Sequence, residues 1–150
     1  RRMMFKHILV PTDGSTLSSD TALRAVDFAK AIGAKVTFFY AQPDYPAQFF
    51  GEGALIDPTT PQQFAKAAEA AATEILQKCA DMARQGGVEY GTATEPSDLP
   101  YEAIIDVAQK HACDMIFMAS HGRRGLTGLL LGSETQKVLT HSKIPVLVYR

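Results

Sequence analysis

Two stretches of this 150-residue chain carry residue types that could hold a charged ligand. The first is "PTDGS", residues 11–15, where the carboxylate of Asp13 follows an apolar run. The second is "ASHGRRGLTGLLLGS", residues 119–133, where Gly122 and Gly132 bracket a partly basic loop and Ser133 precedes a helical pattern. Glycine there permits close backbone approach and positive φ. Ser133 can cap the following helix, with Gln136 three residues on completing a capping-box pattern. The first N–H groups of that helix, and its dipole, then favour an anion such as phosphate. A carboxylate repels phosphate but suits ribose hydroxyls. Together the two stretches point to a nucleotide, its sugar toward Asp13 and its phosphates toward Gly122, Gly132 and Ser133.

Each residue also has a plainer reading. Asp13-Gly14 serves equally as turn chemistry after a strand, and Ser133 as a cap alone. Arg123 and Arg124 are either solvated charges or phosphate contacts. His121 reads as a residue that orients its loop by hydrogen bonding, since no carboxylate or serine partner stands at a recognisable catalytic spacing. Leu129 to Leu131 read as core packing.

The elements that must position these residues alternate between strand and helix. Residues 5–12, "FKHILVPT", form a buried strand that stops near Pro11. Ala22, Ala25, Val26, Ala29 and Ile32 then recur at helical spacing within 21–33, with Gly33 as a stop. A second strand covers 34–41, and the prolines, glycines and aromatics of 42–60 make a long loop. Thr60-Pro61 open a long helix with a stripe of Ala68, Ala71, Ala72, Ile75, Cys79 and Met82, ended by Gly86-Gly87. A shorter third strand spans 88–94. A third helix, 97–112, turns Ile104, Ile105, Ala108 and Ala112 inward. A fourth strand covers 114–120, a helix runs from Ser133 to about His141, and "IPVLVYR", 144–150, is the last strand.

This alternation predicts right-handed βαβ units and an α/β fold: a single-domain, Rossmann-like open parallel sheet of five strands in the order 3-2-1-4-5, helices on both faces. Ligands bind such sheets at the carboxyl ends of the strands where the winding reverses, here between the first and fourth. Both glycine-bearing stretches end there.

Composition narrows the function classes. The chain is 46% hydrophobic and 21% charged with net charge −1, which suits one domain with one core. That balance leaves no basic footprint for nucleic acid or an anionic membrane. No apolar run spans a bilayer and no signal-peptide pattern opens the chain. Arg1-Arg2 read as an addition before a natural start at Met3 or Met4. Cys79 and Cys113 lack metal-ligand spacing and read as buried reduced thiols, so the expected location is the cytoplasm. No metal ligands or catalytic residues are assigned. A phosphoacceptor receiver domain would need an aspartate at the end of the third strand, where "YGTAT" has none.

Over essentially its whole length, from "HILVPTDGS" through "ASHGRRGLTGLLLGS" to "SKIPVLVYR", the chain resembles the universal stress protein family. The ATP-binding signature of that family is glycine, two residues, glycine, nine residues, glycine, then serine or threonine. Gly122, Gly132 and Ser133 match it in register, and Ala119 stands where the first glycine belongs. The resemblance implies ATP, with Mg2+, as the cofactor. It implies that Pro11, Thr12 and Asp13 line the adenosine end and that the Ala41 backbone meets the adenine. Met118, Ala119, His121, Gly122, Arg123, Gly132, Ser133 and Glu134 would surround the ribose and phosphates. It further implies a homodimer, for which the apolar last strand, Val146, Leu147, Val148 and Tyr149, offers a bare edge. The leading expectation is a nucleotide-dependent stress-response module in which ATP orders the loop at 123–131, with the loop at 42–60 as a second candidate. A slow ATPase and a nucleotide-independent structural dimer are the alternatives.

Overall fold

The structure, a computed structural model, describes residues 4–44, 60–122 and 131–150. Arg1-Arg2, most of the loop expected at 42–60, and Arg123, Arg124, Leu129 and Leu130 lie outside the described residues.

The chain order is β1 (His7–Pro11), α1 (Thr16–Ile32), β2 (Lys35–Gln42), α2 (Pro61–Gly86), β3 (Tyr90–Pro96), α3 (Pro100–Lys110), β4 (Met115–Ala119), α4 (Ser133–His141) and β5 (Val146–Tyr149). The five strands form one sheet in the order β3-β2-β1-β4-β5, every pairing parallel. This is the expected topology, with the winding reversal between β1 and β4.

Strand alternation divides the core into two layers, where composition alone suggested one. Ile8 and Val10 point to one side, packing with Ala22, Ala25, Val26 and Ala29 of α1 and with Leu76, Cys79 and Ala83 of α2. Leu9 and Phe39 point to the other, against Ile104, Val107 and Ala108 of α3 and Val138 of α4. Ile8, Leu9 and Val10 are fully buried, as strands covered on both faces require. Both cysteines are free and buried. Burial pushes the Cys79 thiol up to about 11 and the Cys113 thiol, beside Asp114, to about 12, so both stay unreactive near neutral pH.

Several boundaries differ from the sequence reading, each for a local reason. α1 begins at Thr16 rather than 21 because Ser15 is its N-cap, its side chain accepting from the Ser18 amide. It ends as expected at Gly33, whose φ of 74° places the left-handed cap. The buried stripe of α2 is Ala72, Leu76, Cys79, Ala80 and Ala83; Ala71 is exposed, and Ala68, Ile75 and Met82 are half-buried at the margin. Thr60 caps α2 as expected, and Gln63, not anticipated, completes a capping box with it. On α3, Ala103, Ile104, Val107 and Ala108 face inward, whereas Ile105 is only half-buried. Ala112 is exposed because the chain has already left the helix there, turning through φ 54° so that Cys113 can enter the core.

At the amino end of the sheet, Asp114 accepts from the Lys6 and His7 amides at 2.9 and 3.1 Å. His7 Nε2 lies 2.6 Å from Thr37 Oγ1. Burial lowers the His7 pKa below its ordinary value; Lys35 and His111 push it the same way, against the His111 backbone and Asp114. A lowered histidine pKa means that the unfolded chain takes up the proton first. The contribution is therefore complete above the unfolded value of about 6.5 and is lost as pH falls through the folded one. Urea unfolding at pH 7.5 and 5.5 should show wild type losing more stability on acidification than His7→Gln. Equal losses would remove His7 from the acid response.

Candidate functional site

Each helix of a βαβ unit starts at the carboxyl end of the preceding strand. The first turns of α1, α3 and α4 therefore surround the crevice above β1 and β4. A cavity of about 450 Å3 occupies it. Pro11, Thr12, Asp13, Ala41, Met118, Ala119, His121, Gly122, Gly132, Ser133 and Glu134 all line it, so the structure brings together the whole described set named from the sequence. Arg123 falls outside the described residues.

The floor is set by the Asp13 turn. Gly14 takes φ 81°, and Asp13 Oδ1 accepts from the Ser15 amide at 2.9 Å and the Ser18 hydroxyl at 2.9 Å. The turn role and a role facing the cavity are therefore compatible, because the other oxygen leans on Gly122. A Cβ at Gly122 would lie 2.5 Å from Asp13 Oδ2. The loops after β1 and β4 thus touch through a glycine that cannot be enlarged without moving the carboxylate.

Across the cavity, α4 starts at Ser133, and its N-cap is Gly132. Ser133 is consequently the first helical residue and makes no capping bond, contrary to the sequence reading. Gln136 does not complete a box either: its Nε2 donates to the Leu131 carbonyl at 2.9 Å. The reason is spatial. Gly132 N–H donates to Ser120 O at 2.8 Å, and a Cβ on Gly132 would sit 3.0 Å from His121 Cα. The tight crossing needs glycine at the cap position, so the serine moves one place into the helix. Gly132 has φ −62°, and Gly122 is not among the positive-φ glycines either. Close approach, not backbone conformation, explains both residues. With no side chain at the cap, the first-turn amides of α4 retain their affinity for an anion.

Other polar groups brace this arrangement. The Thr135 hydroxyl donates to Ala119 O at 2.9 Å, tying α4 to the end of β4. Glu134 accepts from the Tyr101 amide at 3.0 Å and pairs with Lys137 at 3.5 Å. It therefore closes the first turn of α3, whose N-cap Leu99 supplies no side-chain bond. Ser120 Oγ lies 3.2 Å from His121 Nδ1, consistent with an orienting role for that histidine.

Ser18, Phe39, Pro100, Ile104 and Thr135 also line the cavity and were not anticipated. Pro100 and Ile104 could have been found, since α3 must begin at the same end of the sheet as the crevice. Phe39 lies on β2, on the far side of β1 from β4, and its inward face follows only from the register. The result is an apolar slot of Phe39, Ile104 and Met118 between a carboxylate and a helix N-terminus, which suits a flat ring carrying hydroxyls and phosphate.

This is a doubly wound α/β protein with a crevice at the switch point, the place where such sheets bind ligands. The universal stress protein family model matches residues 4–150, and the chain belongs to that family of stress-response proteins. A universal stress protein of Methanocaldococcus jannaschii is 31% identical over 150 residues, covering 98% of this chain and 83% of the relative. One from Thermus aquaticus is 32% identical over 150 residues, covering 98% and 100%. Among solved structures, a universal stress protein in complex with cAMP matches with TM-score 0.69 and 24% identity, covering 97% of each chain. The Archaeoglobus fulgidus protein in complex with dAMP matches with TM-score 0.65 and 17% identity, covering 99% of this chain and 100% of that one. Among the described residues no helix is long and apolar enough to cross a membrane.

Proposed function

We propose that this protein binds ATP in the β1/β4 crevice and acts as a nucleotide-dependent stress-response module in the cytoplasm. The observation that carries the reading is Asp13 facing the uncapped first turn of α4 across an apolar slot. The cAMP and dAMP complexes of structural neighbours support an adenine nucleotide. Adenine would lie along Ala41 and Phe39, the ribose at Asp13, and the phosphates at Gly122, Arg123, Gly132 and Ser133. Magnesium would arrive on the phosphates, the way this ion usually reaches nucleotide sites; no group of three or more potential ligands stands ready among the described residues. The two buried free thiols suit a reducing compartment. The open β5 edge supports assembly as a homodimer.

A ligand that binds only the folded state stabilises it by about 2.7 kcal/mol at one hundred times its Kd. For a chain of this size that raises Tm by roughly 5–10 °C. Thermal unfolding with and without ATP and Mg2+ should show the shift, and Asp13→Ala should weaken binding by about 1.5–3 kcal/mol. Chromatography of heat-denatured protein should release adenine nucleotide. Absence of both a shift and a released nucleotide would favour the nucleotide-independent dimer.

A further inference from the structure

Beneath the Asp13 turn lies a hydroxyl that the nucleotide reading leaves without a role. Ser18, in the first turn of α1, is 3% exposed. Its Oγ lies 2.9 Å from Asp13 Oδ1, 3.1 Å from Ser15 O and 3.0 Å from Thr12 Oγ1. The Ser15 hydroxyl and the Asp13 amide approach the same atom at 3.3 Å. A serine has one proton to give. Asp13 is its nearest acceptor and carries a charge, so the proton goes there. Thr12 then donates to Ser18, and Thr12 Oγ1 in turn receives the Gly14 amide at 3.3 Å. The outcome is a directed chain, Gly14 to Thr12 to Ser18 to Asp13, whose bonds polarise one another. Thr12 is 7% exposed, so solvent has little access to replace a missing link.

We propose that Ser18 is a positioning residue for the ribose end of the cavity, acting through Asp13; the proposal rests on the nucleotide reading above. Ser15 N–H and Ser18 O–H hold the same carboxylate oxygen from two directions. With Oδ1 pinned, Oδ2 is fixed on the opposite side, against Gly122 and at the cavity wall. Without Ser18 the carboxylate loses one of the two donors that hold Oδ1 here, and its rotation about its own bond is less restrained. The competing role is purely structural: Ser18 would only reinforce the first turn of α1 through Ser15 O. That role costs stability and weakens all ligands alike.

The two roles separate when ATP is compared with 2′,3′-dideoxy-ATP, which lacks both hydroxyls that Asp13 would bind. The Kd ratio of the two nucleotides is measured by calorimetry for wild type, Ser18→Ala, Asp13→Ala and the double variant. Wild type should prefer ATP by roughly tenfold or more. Ser18→Ala should lose about fivefold of that preference while binding the dideoxy nucleotide almost normally. Asp13→Ala should abolish the preference, and adding Ser18→Ala should change the ratio no further. Because the ratio is taken on one sample, a partly unfolded fraction cancels. Ser18→Cys, close in shape and a poor donor, should repeat the loss in a second background. An unchanged ratio in Ser18→Ala and Ser18→Cys, with both nucleotides weakened equally, would overturn the positioning role and leave the nucleotide reading standing. A wild-type ratio in Asp13→Ala would overturn the ribose assignment itself, and the role of Ser18 with it.

Discussion

Gly132→Val should abolish ATP binding while the sheet still forms. A Cβ at this position would sit 3.0 Å from His121 Cα, 3.2 Å from His121 Cβ and 3.4 Å from Ser120 O. Two of those atoms belong to backbone and cannot swing aside. Valine adds two further methyls, so α4 must move off the end of β4, breaking the Gly132 to Ser120 hydrogen bond. The first-turn amides then lose their aim at the phosphates, and the methyls occupy the space the phosphates need. Overpacking of this kind costs about 1–3 kcal/mol. That lowers Tm by some degrees without removing the two core layers, to which Gly132 contributes nothing. Calorimetry should detect no ATP binding in a variant whose circular dichroism matches wild type. Wild-type affinity in such a variant would move the phosphate site away from α4.

Val148→Pro should convert the expected dimer into monomers. Ile116 N–H donates to Pro145 O and Ser120 N–H to Tyr149 O. Positions 145 and 149 therefore turn their backbone toward β4. Successive residues of a strand alternate, so Val146 and Val148 turn theirs toward the open edge. All four residues of β5 are only partly buried, and β5 ends the sheet order. An uncovered apolar edge invites pairing, and a two-fold axis satisfies both copies with one patch. Proline at 148 removes an outward donor from each copy while the bonds to β4 survive. Light scattering should give twice the chain mass for wild type and the single chain mass for the variant. A monomeric wild type, or a variant that stays fully dimeric, would exclude β5 from the interface. Cover by the loop expected at 42–60 is a poorer alternative, because that loop follows β2, which β1 and β4 separate from this edge.

The topology was legible because the physics behind it is coarse. Runs such as Ile8-Leu9-Val10 and Met115 to Met118 are apolar on both faces, and only a strand covered twice needs that. Thr60-Pro61 marked the start of α2 because the requirements of a cap and a first turn are local. Details that depend on how elements cross were less legible. An alanine-rich helix such as α2 offers several apolar stripes of nearly equal quality, and the partner surface selects Leu76 over Ala71 and Ile75. Ser133 looked like a cap because its spacing to Gln136 was right, yet the crossing at His121 displaced it by one residue. The described site residues named from the sequence gathered at one cavity because strand order fixes which loops meet. Ser18 escaped notice since a serine in "STLSSD" carries no signal until its burial is known.

The Asp13 turn has one more consequence, for how such a chain changes over generations. The same carboxylate oxygen that accepts from Ser15 and Ser18 fastens the start of α1 to the end of β1. On the nucleotide reading, a mutation at Asp13 would therefore remove a ligand contact and loosen a helix at once. Drift toward a version blind to nucleotide is penalised by the fold itself, even in periods when the ligand confers no advantage. Replacing Gly132 disturbs the crossing of α4 over the end of β4 but leaves the start of α1 and both core layers in place. Lineages that abandon the nucleotide should shed the glycine before the aspartate.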